Sequence, residues 1–218
     1  MNIKYWARRP HLLWARVKYW LWEKSNPDKP WLCPEAVSYC ERTLNSSMRV
    51  LEFGSGRSTL WFARRVGHLT SVEHSPVWFR RIEIAIRLSG LRNIDYRSVP
   101  LDHAESEPEH GDYHPQPRYV SVLNEFAPES LDLIIVDGHY RTACLRACPS
   151  KVKRGGLVLV DDVDIWGGAE RVPVPYDWQL VHQSTNGLKL TAVWQRPTIA
   201  MSAAVVNKSR SSANEPVS

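Results

Sequence analysis

The chain has 218 residues, 43% of them hydrophobic, and a formal net charge of +5, which fits one globular domain with extensions. No stretch approaches the roughly 18 uninterrupted apolar residues of a membrane span. The start is basic and lacks a signal peptide's apolar run and cleavage site, so the expected location is the cytoplasm. The charge is not spread evenly. Residues 1–29 hold Lys4, Arg8, Arg9, Arg16, Lys18, Lys24 and Lys29 against Glu23 and Asp28, an excess of +5 that equals the whole chain's. The remainder is close to neutral, which excludes a general nucleic-acid surface.

Residues 1–30 read as a basic extension that, with Trp31, carries half of the ten tryptophans. After Pro10, the spacing of Leu13, Val17, Trp20 and Leu21 puts them on one helical face. Two readings follow. The helix lies on an anionic membrane, with lysine and arginine flanking tryptophan, or it packs on the domain or on a second copy of the chain. Residues 26–30, Asn-Pro-Asp-Lys-Pro, form a turn or linker. A helix is expected from Pro34 to Leu44, with Pro34 in its first turn and Ala36, Val37, Cys40 and Leu44 inward. Cys33, Cys40, Cys144 and Cys148 form no recognisable zinc spacing and are expected as small core residues.

Strands and helices then alternate. Strands are expected at Met48–Phe53, Leu69–Glu73, Ile94–Val99, Leu131–Val136 and Leu157–Val160, the last after a Gly155-Gly156 turn. Helices are expected at Thr59–Val66, from Pro76 to about Leu88 behind a Ser75 cap, and at Arg141–Cys148. This order predicts a parallel sheet covered on both faces. The almost unbroken apolar runs of the fourth and fifth strands suit its centre. Residues 101–130 read as a long solvated or substrate-covering loop that contains Asp102, Glu105, Glu107, Glu109, Asp112, His103, His110 and His114. Trp178–Gln183 and Leu188–Gln195 flank Asn186-Gly187, a hairpin signal, so the sheet should end antiparallel. Residues 197–218 are expected to be disordered.

The chemistry centres on residues 50–59, Val-Leu-Glu-Phe-Gly-Ser-Gly-Arg-Ser-Thr. A buried strand runs into a glycine turn that permits close approach of a ligand, then into a helix whose free N–H groups face that ligand. A dinucleotide fingerprint needs a third glycine, and Thr59 stands in its place. Glu52, just before the first glycine, can bind a cationic ammonium group. Glu73 follows 21 residues later at the end of the second strand, where a carboxylate can accept both ribose hydroxyls.

With these residues in view, the stretch from Val50 to Asp164 resembles a class I S-adenosylmethionine-dependent methyltransferase. The likeness extends over roughly residues 34–196 and includes Val136-Asp137-Gly138 after the fourth strand and the final hairpin. It implies a Rossmann-like, doubly wound, mainly parallel seven-stranded sheet ending in an antiparallel hairpin. The domain would span residues 31–196, between the 1–30 extension and the 197–218 tail. It also implies that Glu52, Gly54, Ser55 and Gly56 contact the methionine end of the cofactor, Glu73 its ribose, and His74 the adenine edge. Arg57-Ser58 departs from the glycine that many members carry there.

Asp137, Asp161 and Asp162 should meet at the carboxyl edge of the sheet. They resemble the magnesium ligands of small-molecule O-methyltransferases, except that an aspartate replaces the usual asparagine of the pair. Asp137 or His139 is the candidate catalytic group, His139 as a base without metal. The expected activity is methylation of an oxygen on a small molecule or sugar. The rivals are a nicotinamide-dependent oxidoreductase and a non-catalytic membrane-surface or scaffold protein on the same fold.

Overall fold

The apolar residues of the central strands alternate between two cores, and this alternation places helices on both faces of one sheet. The computed structural model describes residues 10–102 and 116–198. The expected disordered tail from residue 199 on, and the acidic and histidine-rich positions 103–114, lie outside them. Seven strands, β1 (Arg49–Phe53), β2 (His68–Glu73), β3 (Ile94–Ser98), β4 (Leu131–Val136), β5 (Val152–Val160), β6 (Gln179–Thr185) and β7 (Leu190–Gln195), form a sheet of order β3-β2-β1-β4-β5-β7-β6. β1 to β5 pair in parallel, and β7 enters antiparallel between β5 and β6. This is the expected Rossmann-like architecture with its terminal hairpin.

The helices are α1 (Pro10–Ser25), α2 (Pro34–Thr43), α3 (Arg57–Ala63), α4 (Pro76–Ser89), α5 (Arg118–Ser121) and α6 (Arg141–Ala147). Leu133, Ile135, Leu157 and Leu159 pack with α2 and α3 through Ala36, Val37, Trp61 and Phe62. Their neighbours Ile134, Val136, Val158 and Val160 point the other way, against Tyr119, Leu123 and Leu145. Ser75 caps α4, its hydroxyl accepting from the Trp78 N–H at 3.3 Å. All four cysteines are buried and free, and burial pushes the Cys40 and Cys148 thiols up to about 12.

Three local expectations change. β5 starts at Val152, because Gly155-Gly156 is a bulge within the strand: Leu131 pairs Val152 while Leu133 pairs Leu157. The segment expected as loop up to residue 130 contains α5 and a 3-10 turn at Val122–Glu125, since Tyr119, Val120 and Leu123 are core residues. The face of α1 that carries Leu13, Val17, Trp20 and Leu21 turns to solvent. The helix packs inward by another stripe, which is also apolar, so periodicity alone did not choose between them. Tyr19 donates from its hydroxyl to the Leu32 carbonyl at 3.2 Å and stacks on Trp22. Ala15 seats against the hairpin tip so closely that a Cβ on Gly187 would lie 2.9 Å from it. Among the described residues, no helix is long and apolar enough to cross a membrane.

Candidate active site

The carboxyl ends of the parallel strands bring the predicted residues to one edge of the sheet, where open α/β folds bind ligands. Gly54 leaves β1 at φ +91° and passes against the loop after β4. A Cβ there would lie 2.6 Å from the Asp137 carbonyl oxygen, and a Cβ on Gly138 would strike the Tyr119 hydroxyl. These two glycines are therefore required by the mutual packing of the two loops. Gly56 differs. Its backbone is extended, and a Cβ would meet nothing nearer than the Ser58 hydroxyl at 3.6 Å, so its openness serves space beside the turn.

Strand alternation sets the role of Glu52. It shares the face of Val50, so its side chain lies under α3 and is fully buried. Oε2 accepts hydroxyl bonds from Thr59 and Ser71, each at 2.6 Å, and Thr59 Oγ1 in turn accepts from the Gly56 N–H at 3.1 Å. Glu52 thus holds the glycine turn from behind. The threonine at the third-glycine position is the connecting piece. Burial raises the Glu52 carboxyl to about 7 against the opposing hydroxyl bonds of Ser58, Ser71 and Thr59, and among the described residues none makes a well-formed hydrogen bond to its Oε1.

Glu73, itself buried, lies beside the turn. Its Oε2 accepts from the Ser55 N–H at 3.1 Å and the Ser55 hydroxyl at 2.7 Å. Its Oε1 accepts from the backbone N–H groups of His74 and Ser75. The Tyr96 hydroxyl lies 2.7 Å from Ser55 Oγ. Trp78 donates from Nε1 to the Ser55 carbonyl at 2.6 Å, and its ring stacks with that of Trp31. The Arg57 guanidinium reaches back to the carbonyls of Asn26 and Lys29 and lies over Trp31. The segment after α1 is therefore tied to the glycine turn. Tyr96, Trp78 and Trp31 were not expected at the site, although the position of Tyr96 in β3, opposite Ser71, follows from parallel register.

His74 and His139 meet across the sheet edge with ring centroids 4.5 Å apart. His74 Nδ1 lies 3.2 Å from Glu73 Oε1 without hydrogen-bond alignment. Burial lowers the His74 pKa, with Glu73 opposing and His139 reinforcing the shift, so the ring stays neutral at physiological pH.

The three expected carboxylates do converge: one oxygen each of Asp137, Asp161 and Asp162 lies within 4.8 Å of the others. Among the described residues, two cations answer their charge. Lys189, just after the hairpin turn, forms a very short ion pair with Asp161 and lies 3.7 Å from Asp162. Arg141 pairs with Asp162 at 3.1 Å and with Asp137 at 3.6 Å. Thr191 donates its hydroxyl to Asp161 at 2.5 Å. Burial alone would lower the Lys189 ammonium, but Asp161, Asp137 and Asp162 override it and hold it above the ordinary lysine range. Burial also raises the Asp137 and Asp161 carboxyls, with Lys189 opposing in both. Magnesium does not fit this donor set. Both oxygens of Asp161 are engaged, and Lys189 and Arg141 already answer the charge of the three carboxylates. Lys189 was missed because its nearness to Asp161 depends on β7 inserting antiparallel beside β5, with Val160 opposite Ala192.

A cleft of about 440 Å³ opens beside this cluster, lined by Asp162 and Lys189, by Arg16, Tyr19 and Glu23 of α1, and by Trp31.

No protein-family model and no curated protein matches the chain. Solved structures do. A methyltransferase-like protein from Silicibacter pomeroyi aligns over 82% of this chain and 94% of its own, with 22% identity and a TM-score of 0.56. The Escherichia coli protein yhhF, a proposed methyltransferase, aligns over 75% and 85%, with 13% identity and a TM-score of 0.56. The ribosomal protein L11 methylase of Lactobacillus delbrueckii subsp. bulgaricus aligns over 75% and 77%, with 15% identity and a TM-score of 0.53. Together with the strand order β3-β2-β1-β4-β5-β7-β6, these likenesses establish that the chain has the Rossmann-like fold of the class I methyltransferases.

Proposed function

We propose that the chain is an S-adenosylmethionine-dependent methyltransferase acting on an oxygen of a small hydroxylated molecule or sugar. The observation that carries this reading is the glycine turn hydrogen-bonded through Ser55 to Glu73, with His139 and the acidic edge on the neighbouring loop. S-adenosylmethionine supplies a methyl group on a positively charged sulfur. The donor set suits it. The open face of Gly56 leaves room at the turn for the methionine part, and Glu73, Ser55 and Tyr96 offer the acceptor and hydroxyl groups that a ribose diol needs. The ribose hydroxyls must displace Ser55 Oγ from Glu73, so Ser55 reports occupancy.

Methyl transfer is an in-line displacement, so the chain's task is to align the acceptor and remove its proton. Alignment contributes up to roughly 7–11 kcal/mol in favourable cases. We assign removal of that proton to His139, on the loop after β4, while Asp137 stays engaged with Arg141. The cleft suits a polar acceptor. Carboxylates of Glu23 and Asp162 can accept hydroxyl bonds, and Trp31 and Tyr19 offer aromatic surface for a sugar face. The nicotinamide reading loses support because Thr59 is built into the turn.

The test is transfer of a labelled methyl group from S-adenosylmethionine to fractionated cell extract. Label should enter the small-molecule fraction and persist in excess chelator. Label confined to protein, as the name of the Lactobacillus neighbour would suggest, overturns the acceptor class. Abolition by chelator restores the metal.

A further inference from the structure

We propose that α1 docks the protein on an anionic membrane surface through its outward face. This inference does not rest on the catalytic reading. The inner stripe of α1 is already used: Tyr19, Trp22 and Ala15 pack on the domain and on the hairpin tip. The outer face nevertheless exposes Leu13, Trp14, Val17, Trp20 and Leu21, with Trp14 66% and Leu21 53% accessible. At 100° per residue these five form one continuous band. Arg16 borders it on one side and Lys18 on the other, and Lys24 lies within it, its ammonium 5.8 Å from the centre of the Trp20 ring.

Charge decides the occupant. The sole acid of α1, Glu23, lines the cleft together with Arg16, so the charges on the exposed band itself are those of Lys18 and Lys24. A second copy seated on it would oppose lysine to lysine. Anionic headgroups instead answer Lys18 and Lys24, whose long stems let the charges reach outward while the stems cover apolar surface. The tryptophans suit the boundary between headgroup and acyl chain. Because the same helix walls the cleft beside Lys189 and Asp162, docking places that cleft next to the lipid.

The test is flotation of the full chain with vesicles of mixed phosphatidylserine and phosphatidylcholine, and with phosphatidylcholine alone. The chain should float with the mixed vesicles, bind the neutral ones far more weakly, and release as salt rises. The double variant Trp14→Ala, Trp20→Ala should lose about tenfold or more in vesicle affinity, since it removes the largest apolar groups of the interface. Its melting temperature should stay unchanged, because both side chains face solvent. Absence of flotation, equal binding to neutral vesicles, or undiminished binding by the double variant would each overturn the proposal. So would a lipid-free dimer of the wild-type chain that the double variant converts to monomer, since a second copy would then occupy the face.

Discussion

Replacing Lys189 by methionine should destabilise the protein by about 3–5 kcal/mol at neutral pH, the usual loss when one partner of a buried ion pair is removed. Three carboxylates converge on this point, and among the described residues Arg141 would remain to answer them. For a chain of this size the melting temperature should fall on the order of 10 °C. The pH dependence separates electrostatics from lost packing. Burial raises the Asp137 and Asp161 carboxyls, so the folded chain binds more protons than the unfolded one from about pH 3.9, the ordinary aspartate value, up to the raised folded values. Stability falls as pH rises through that window. Removing the ammonium raises both carboxyls further and widens the window, so the deficit of Lys189→Met should shrink as pH is lowered from neutral. Lys189→Arg, which keeps the charge, should recover much of the loss. Thermal melts across pH check this, and a deficit that is flat with pH would assign Lys189 a packing role only.

Exchanging His139 for alanine should lower turnover by about 10²–10⁴-fold, the range for loss of a positioned base, while S-adenosylhomocysteine binds as in the wild type. The split matters because His139 touches His74, which lies beside Glu73. A purely structural histidine would weaken cofactor binding along with turnover. Single-turnover rates and titration of the product cofactor on the same preparation distinguish the two. Unimpaired turnover would remove the base role from His139.

The order of strands and the glycine turn were legible because they rest on local signals: apolar runs of strand length, turn residues between them, and an Asn-Gly hairpin. The residues proposed to hold the cofactor are equally local, since Gly54, Ser55, Gly56, Glu73 and His74 each end or follow a parallel strand. Glu52 was legible as a residue of the turn, but its bonds to Thr59 and Ser71 were not. Its parity with Val50 puts it under α3, where it braces Thr59 and Ser71. The acidic cluster was legible and its partner was not. Asp161 and Lys189 are 28 residues apart and meet through the insertion of β7 between β5 and β6, an arrangement that no local pattern announces. In α1 both stripes are apolar, so the spacing of Leu13, Val17, Trp20 and Leu21 identified a helix without saying which side the domain would take.

The most direct test of the methyltransferase reading is calorimetric titration of the full chain with S-adenosylhomocysteine, and separately with NAD, comparing wild type with Gly56→Ala. The Gly56 Cβ position is open, so the alanine variant should fold and melt like the wild type. If the turn holds the methionine part, the wild type should bind S-adenosylhomocysteine at one site and NAD negligibly. Gly56→Ala should then lose at least about tenfold in affinity, roughly 1.4 kcal/mol. Tight binding of NAD without S-adenosylhomocysteine, or equal affinity in the folded Gly56→Ala variant, would contradict it.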